Sequence, residues 1–275
     1  PYQQDGFLWL ARLAEWGAGA CLADDMGLGK TIEALALILH RAADGPTLVV
    51  APTSVCANWV SETQRFAPTL KPIRFGIGDR GQREQVLENA GPFDLVICSY
   101  TLLQQEAKAF KDVNFATIVL DEAQAIKNAA TKRSSAAMNL TGGFRMICTG
   151  TPIENRLSEL WNLFRFINPG LLGSEDRFRE RFVRPIELDR DSSARATLKA
   201  LVQPFILRRT KSQVLEDLPP RTEVMRLVEL ADEERALHES LRQRALERLE
   251  GMRGTDKGQA HIQVLAELMK LRRCC

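Results

Sequence analysis

The most informative residues of the chain form a glycine-containing turn between a short apolar run and an apolar helical pattern. The turn reads Asp25-Met26-Gly27-Leu28-Gly29-Lys30-Thr31, and the apolar run before it spans residues 20–23. Such a turn leaves several backbone N–H groups pointing into one concavity at a helix N-terminus, where the helix dipole also favours anions. Lys30 can reach the β- and γ-phosphates of a nucleotide, and the Thr31 hydroxyl can bind magnesium. The turn therefore predicts a nucleoside triphosphate site.

One residue departs from the general phosphate-loop pattern, because Asp24 stands where that pattern has a glycine. Taken alone, the segment is equally compatible with an ordinary helix N-terminus that happens to carry Gly-Lys-Thr. Two further motifs favour the nucleotide site.

The second motif is an apolar run, residues 118–120, that ends in the carboxylates Asp121 and Glu122. Ligands of open α/β sheets bind beyond the carboxyl ends of the strands, so we expect this pair to face the same phosphates as Lys30. Asp121 is predicted to hold magnesium through water, and Glu122 to orient or deprotonate the attacking water. The alternative for an isolated Asp-Glu pair is a helix cap or a solvated turn.

The third motif is the apolar run 146–148 followed by Thr149-Gly150-Thr151. A small polar turn at this place is expected to lie beside the γ-phosphate and to transmit nucleotide state to a neighbouring segment. The alternative is an ordinary Gly-Thr-Pro loop.

The order of the apolar segments predicts an α/β fold. Apolar runs at 48–51, 95–99, 118–121 and 146–149 alternate with helical patterns at 32–40 and 101–110. Continuous apolarity within the runs indicates a parallel sheet covered on both faces. Later segments favour helices outside the sheet at 175–183, 194–202 and 231–250, an alternating strand at 222–230, and a flexible linker at 251–258.

Composition sets wide limits on function. The chain has 275 residues, of which 45% are hydrophobic, and a formal net charge of +2. The first 170 residues contain 16 Lys and Arg against 17 Asp and Glu, so charge alone does not indicate a nucleic-acid binder. Six cysteines lack CxxC spacing, which favours packing over a metal site or a disulfide. With neither a membrane-spanning run nor a secretory-signal layout, we expect an intracellular protein without a membrane partner.

Together the motifs resemble the first motor lobe of superfamily-two helicase-like ATPases, and more narrowly the Swi/Snf-type family of double-stranded DNA translocases. That family's phosphate loop also has an acid in place of the first glycine, as at Asp24. The resemblance rests further on segments 1–3, 50–59, 99–103, 121–124, 160–173, 206–220 and 268–275.

The resemblance implies a RecA-like parallel sheet with an appended α-helical protrusion. It divides the chain into an ATP-binding motor lobe (1–170), the protrusion (171–220), and a returning strand and helices (221–275) that lead to a second motor lobe. It implies ATP and Mg²⁺ as ligands. The implied partners are double-stranded DNA, the second lobe of the full-length protein and a nucleoprotein substrate. The second lobe would supply an arginine, so the isolated chain is expected to hydrolyse ATP weakly.

The resemblance also assigns site residues. The catalytic set is Lys30, Asp121 and Glu122; the nucleotide set is Gln3, Asp25, Met26, Gly27, Leu28, Gly29, Lys30, Thr31, Glu122 and Gly150; the magnesium set is Thr31 and Asp121. The predicted DNA contacts are Thr53, Ser54, Asn58, Tyr100, Thr101, Lys127 and Asn128.

The two tryptophans of interest, one basic cluster and the rival functions need separate treatment. Trp59 and Trp161 are assigned to packing rather than base stacking. The basic cluster Arg208, Arg209 and Lys211 could meet DNA or the second lobe, or be a solvated helix start. Rival functions are a strand-separating helicase and a non-hydrolysing binding module.

Overall fold

The architecture is taken from a computed structural model, which describes residues 1–150, 156–214, 225, 229, 231–250 and 257–272, without side chains at 249–250 and 257–263. The chain divides into two compact units, Pro1–Leu218 and Pro219–Cys275. The predicted strand at 222–230 and most of the predicted linker at 251–258 lie outside the described residues. Lys257 and Gly258, the last two linker positions, begin a helix.

The described part of the first unit contains a parallel sheet of seven strands in the order β3-β4-β2-β5-β6-β1-β7. The strands are β1 (Ala20–Leu22), β2 (Thr47–Ala51), β3 (Lys71–Arg74), β4 (Asp94–Ser99), β5 (Asn114–Asp121), β6 (Thr141–Cys148) and β7 (Ile206–Leu207). Every residue of β1 and β2 is buried, so these strands are covered on both faces, as their apolar runs predicted.

Helices cover both faces of this sheet, which confirms the predicted α/β class. In the first unit they are α1 (Tyr2–Glu15), α2 (Lys30–His40), α3 (Thr53–Phe66), α4 (Arg80–Glu88), α5 (Tyr100–Gln105), α6 (Ala107–Lys111), α7 (Lys132–Met138), α8 (Leu157–Ile167), α9 (Glu175–Phe178), α10 (Ser192–Val202) and α11 (Lys211–Val214). One hydrophobic cluster packs α1, α2 and α3 against the sheet, and another packs α5 to α8 against it. The second unit contains α12 (Asp232–Glu250) and α13 (Lys257–Arg272).

The structure modifies three details of the predicted elements. The predicted helix at 101–110 is two short helices, α5 and α6. The helix predicted at 175–183 is α9 followed by a π-helical segment, Arg179–Leu188, which contains Pro185; proline cannot donate the regular backbone bond of an α-helix. Strands β3 and β7 lack the long apolar run of a central strand, and the sequence did not predict them.

Residues of the predicted protrusion pack against the same core as the sheet. Phe178, Phe182 and Leu198 are buried and belong to the hydrophobic cluster that includes α8. The three-part division at residues 170 and 220 stays a prediction.

A buried asparagine ties α8 to the turn that follows β5. The Asn162 side-chain amide donates to the Ile126 carbonyl at 2.5 Å and to the Ser134 hydroxyl at 2.8 Å. We expect Asn162→Ala to lower the free energy of unfolding by about 1–3 kcal/mol, because it leaves a buried carbonyl without this donor. Denaturant titration measures the loss. Asn139→Ala, at the exposed end of α7, is the matched control, and equal midpoints for the two variants would contradict the assignment.

Candidate nucleotide-binding site

The three predicted motifs begin at one edge of the sheet, although Thr151 of the third motif lies outside the described residues. Asp121, the last residue of β5, is aligned with Cys148 of β6, and Cys148 is aligned with Leu22 of β1. The glycine-containing turn after β1, the acidic turn after β5 and the polar turn after β6 therefore leave the sheet side by side. This is the carboxyl edge, where open α/β sheets bind ligands.

The turn after β1 has the backbone that a phosphate loop requires. Gly27 and Gly29 have φ of +89° and +81°, values that other residues rarely adopt, and α2 begins directly after Gly29. A Cβ at Gly29 would lie 2.2 Å from Gln3 Nε2. Gln3 and Tyr2 both donate to the Leu28 carbonyl, at 3.3 and 3.1 Å. The predicted nucleotide residue Gln3 therefore lies against the loop.

The ammonium group of Lys30 is held by the same loop. Lys30 Nζ donates to the carbonyl oxygens of Asp24 at 2.7 Å and of Asp25 at 3.2 Å. Its positive charge also acts on Asp121 and opposes the rise in the pKa of that carboxyl group. The site roles predicted for Lys30 and Asp121 stay predictions.

Both carboxylate oxygens of Asp121 accept hydrogen bonds. Oδ2 accepts from the Trp59 indole N–H at 2.9 Å, and Oδ1 accepts from the Glu122 backbone N–H at 2.9 Å. Burial raises the pKa of Asp121, while these two hydrogen bonds lower it. Trp59 is buried, as predicted, but its bond to Asp121 is a feature that the sequence analysis missed. Its helical spacing indicated packing and gave no sign of this partner.

Glu122 lies at the end of a chain of side-chain hydrogen bonds. Its backbone has φ of +49° and ψ of +53°, a left-handed conformation that is uncommon outside glycine. Gln124 Nε2 donates to Glu122 Oε2 at 2.6 Å, and the Thr149 hydroxyl donates to Gln124 Oε1 at 3.2 Å. The turn after β6 is therefore connected to Glu122 through Gln124.

The remaining predicted nucleotide residues lie close to these groups. A Cβ at Gly150 would lie 3.4 Å from Met26 Cγ, so the turn after β6 reaches the tip of the loop. Met26 is exposed there, and Thr31 lies in the first turn of α2.

Asp24 has a role that the phosphate-loop pattern does not contain. It is fully buried, and its carboxylate accepts from the backbone N–H and the guanidinium of Arg209. The same guanidinium binds Glu33 at 2.6 Å, donates to the Tyr2 carbonyl, and lies 5.1 Å from the centre of the Tyr2 ring. Arg209 therefore binds carboxylates inside the protein, beside the loop after β1. Within the basic cluster, it is neither part of a solvated helix start nor a DNA contact. Arg208 is exposed.

Only one of the two carboxylate oxygens of Glu33 has a hydrogen-bond partner in this network. One carboxylate oxygen binds Arg209, whereas Oε2 is buried and has no hydrogen-bond partner among the described residues. Burial raises the pKa of Glu33 to about 7, although Arg209 lowers it.

The predicted DNA residues occupy the same edge of the sheet, on helices that follow β2 and β4 and on the turn after β5. Thr53, Ser54 and Asn58 of α3, Thr101 of α5, and Asn128 are exposed. Lys127 is half-buried, and its ammonium group lies 3.7 Å from Glu159. Tyr100 is buried, and its hydroxyl donates to the Asp121 carbonyl at 2.8 Å.

Other candidate chemistry is not observed in the described residues. They contain no group of three or more His, Cys, Asp and Glu arranged to hold a metal ion. The four described cysteines are free and buried, which agrees with the predicted packing role. Among the helices described, none is long and apolar enough to cross a membrane.

Comparison with known proteins identifies the family. A family model described as "SNF2-related domain" matches residues 2–275. The ISWI chromatin-remodeling complex ATPase CHR11 of Arabidopsis thaliana is 36% identical over 100% of this chain, which spans 26% of that relative. The chromatin-remodeling ATPase INO80 of the same plant is 35% identical over 100% of this chain, which spans 20% of it.

A solved structure agrees with these sequence matches. The SWI2/SNF2 ATPase core of Sulfolobus solfataricus in complex with dsDNA aligns with a TM-score of 0.72 and 36% identity. The alignment covers 100% of this chain and 57% of that structure. The family model, the relatives and the fold agree, and the chain belongs to the SNF2-related family.

Proposed function

We propose that this chain is the ATP-binding motor lobe of an ATP-dependent translocase that moves on double-stranded DNA. The observation that carries the proposal is the meeting of Lys30, Asp121 and Glu122 at one edge of the sheet. Membership of the SNF2-related family supports it, as does the structural neighbour, an ATPase core in complex with dsDNA.

The loop after β1 is assigned to the triphosphate. Lys30 Nζ, now bonded to two loop carbonyls, would exchange them for the β- and γ-phosphate oxygens. The backbone N–H groups at the start of α2 would donate to the same anion. Gln3 lies against Gly29 and is assigned to the adenine side of the site.

Thr31 and Asp121 are assigned to magnesium. The residues fit the ion, because a hydroxyl and a carboxylate are oxygen ligands of the kind that Mg²⁺ prefers. Each Asp121 oxygen already accepts one hydrogen bond, which leaves room for a bond from a metal-bound water. When bound, the ion supplies countercharge to the phosphates.

Glu122 is assigned to the attacking water. Gln124 fixes one of its carboxylate oxygens, and no residue that the structure describes donates to the other, which we assign to accepting a proton or orienting a water molecule. Arg209 lies beside the loop but is bound to Asp24 and Glu33, so we assign the arginine that neutralises transition-state charge to a second motor lobe. The isolated lobe is therefore expected to turn over slowly.

Duplex DNA is assigned to the exposed side chains at the same edge. Hydroxyl and amide groups bind phosphate oxygens without reading bases, which suits a motor that moves over any sequence. The contacts proposed are Thr53, Ser54, Asn58, Thr101, Lys127 and Asn128, together with the backbone at Tyr100. A nucleoprotein substrate and an intracellular location belong to the same proposal.

The direct test is nucleotide binding to the chain itself. We expect Lys30→Ala to weaken ATP binding at least about 100-fold, because charge-assisted bonds to several phosphate oxygens are lost. Isothermal titration calorimetry with Mg-ATP measures it. Lys132→Ala, an exposed lysine at the start of α7, is the control and should bind as the parent does. Equal affinities for all three proteins would contradict the loop assignment.

Two rival functions predict different results. A strand-separating helicase would unwind duplexes, whereas the proposed translocase would hydrolyse ATP on duplex DNA without unwinding it. A non-hydrolysing module would bind ATP and show no turnover even with the second lobe present. ATP hydrolysis and strand displacement, measured with the full-length protein, distinguish the three.

A further inference from the structure

Asp121 receives hydrogen bonds from two different helices, and each helix carries predicted DNA contacts. Trp59 of α3 donates to its carboxylate at 2.9 Å, and Tyr100 of α5 donates to its backbone carbonyl at 2.8 Å. The two donors lie 62 and 21 residues from Asp121 along the chain. These bonds link the DNA edge of the lobe to a proposed magnesium ligand.

On α3, neighbouring residues face opposite environments. Asn58 is exposed and is assigned to DNA, while Trp59 is 1% exposed and its ring packs in the core between α3 and the sheet. A buried indole has little freedom to move independently of its helix, because interiors are closely packed. A shift of α3 that accompanies DNA binding would therefore move the N–H that holds Asp121 Oδ2.

On α5 a buried aromatic residue also lies next to an exposed residue assigned to DNA, but here the buried residue comes first. Tyr100 is buried, and the next residue, Thr101, is exposed and assigned to DNA. The Tyr100 hydroxyl fixes the carbonyl of Asp121, the residue after which the backbone turns into the left-handed conformation of Glu122. This bond therefore supports both acidic residues through the main chain.

We propose that Trp59 and Tyr100 are positioning residues that couple DNA contacts on α3 and α5 to the orientation of Asp121. The inference rests on the proposed function and adds to it the route by which duplex DNA stimulates hydrolysis. Each acts through Asp121, Trp59 on the side chain and Tyr100 on the main chain.

The orientation of the Asp121 carboxylate is set by two hydrogen bonds, one to each of its oxygens. Glu122 N–H fixes Oδ1 through the local turn, whereas Trp59 fixes Oδ2 from outside the turn. Without Trp59 the carboxylate could rotate about its own side-chain bonds. Partners that orient metal ligands typically contribute about 10- to 100-fold to metal affinity or activity.

The experiment uses the full-length protein and compares Trp59→Phe and Tyr100→Phe with Trp161→Phe. Trp161 is the matched control, because it is also buried and its N–H also donates to one oxygen, the Gly173 carbonyl at 3.1 Å. Three quantities are measured for each protein: ATP affinity, the magnesium concentration that gives half-maximal hydrolysis, and the ratio of hydrolysis rates with and without duplex DNA. Thermal melting reports folding.

For Trp59→Phe we expect a half-saturating magnesium concentration that is about 10-fold higher, with little change in ATP affinity. For Tyr100→Phe we expect DNA stimulation to fall about 2- to 10-fold, since one hydrogen bond is lost. Trp161→Phe should match the parent in both measurements. If Trp59→Phe does not fold, the test rests on Tyr100→Phe, which removes only one oxygen atom. The quantity measured is then the ratio of its hydrolysis rates with and without duplex DNA.

Two results would overturn the proposal. If the parent shows DNA-stimulated hydrolysis while both site variants behave like Trp161→Phe, the coupling is wrong and the proposed function stands. If the parent itself neither binds nor hydrolyses ATP, the proposed function fails and the coupling fails with it.

Discussion

Glu122→Gln is expected to leave ATP binding intact and to reduce DNA-stimulated hydrolysis by about 10²- to 10⁴-fold, the usual contribution of a general base. The amide has the shape of the carboxylate but cannot accept a proton from water. Its oxygen can still accept from Gln124 Nε2, which donates at 2.6 Å, so the chain of bonds to Thr149 is retained. The substitution therefore removes basicity with little change of geometry.

The Glu122→Gln measurement requires the full-length protein, since the arginine is assigned to the second lobe. Phosphate release with duplex DNA gives the rate, and calorimetry with Mg-ATP gives the affinity. Glu88→Gln, an exposed acid near the end of α4, is the matched control. Unchanged turnover in Glu122→Gln would show that another group handles the water. Loss of ATP binding would show that Glu122 holds the nucleotide instead.

Gln124 connects the half-buried Glu122 to the turn after β6. It accepts from Thr149 and donates to Glu122, so a displacement of the turn after β6 reaches the carboxylate through one side chain. A side-chain amide can perform both tasks at once, because it carries an acceptor and two donors. We propose that the turn after β6 senses the nucleotide and adjusts Glu122 through this side chain.

Local sequence patterns predicted the parts of the fold that are determined locally. The central strands have continuous apolar runs, and the loop after β1 has glycines at the two positions with positive φ. The prediction that Lys30 and the acidic turn share one edge followed from parallel topology alone. For the strands and the loop, the signal lies within one short stretch of neighbouring residues.

The features that were not predicted depend on residues far apart in the sequence. Arg209 meets Asp24 across 185 residues, and Trp59 meets Asp121 across 62. An aromatic at helical spacing indicates a buried position, but the pattern does not specify which polar atom its N–H will reach. Strand β7 has only two residues, and it is added to the sheet by pairing with β1. Its two residues give too short a pattern to identify a strand.

The network around Arg209 explains the aspartate at position 24. Asp24 Oδ1 accepts from the Arg209 backbone N–H at 2.8 Å, and the Asp25 backbone N–H donates to the Arg209 carbonyl at 3.0 Å. The Lys211 backbone N–H donates to the Asp25 carboxylate at 3.1 Å. The segment after β7 is thus bonded to the beginning of the glycine-containing loop, where a glycine would offer no carboxylate.

Arg209→Met is expected to lower the free energy of unfolding of the first unit by about 3–5 kcal/mol, the usual result of removing one partner from a buried ion pair. Methionine has a similar length but no charge, so Asp24 and Glu33, both with fully buried side chains, would lose their shared cation. Replacing charged partners together costs less than removing one of them. Asp24→Asn combined with Arg209→Met should therefore lose less stability than Arg209→Met alone.

Guanidinium chloride unfolding followed by tryptophan fluorescence measures the loss in Arg209→Met, because all four tryptophans lie in the first unit. Arg208→Met is the matched control, since Arg208 is the exposed neighbour and its replacement should change the free energy of unfolding by no more than about 0.5 kcal/mol. The same midpoint for the two single variants would mean that the buried network does not stabilise the loop. A large loss in Arg209→Met that Asp24→Asn partly relieves would identify the unpaired carboxylate as its cause.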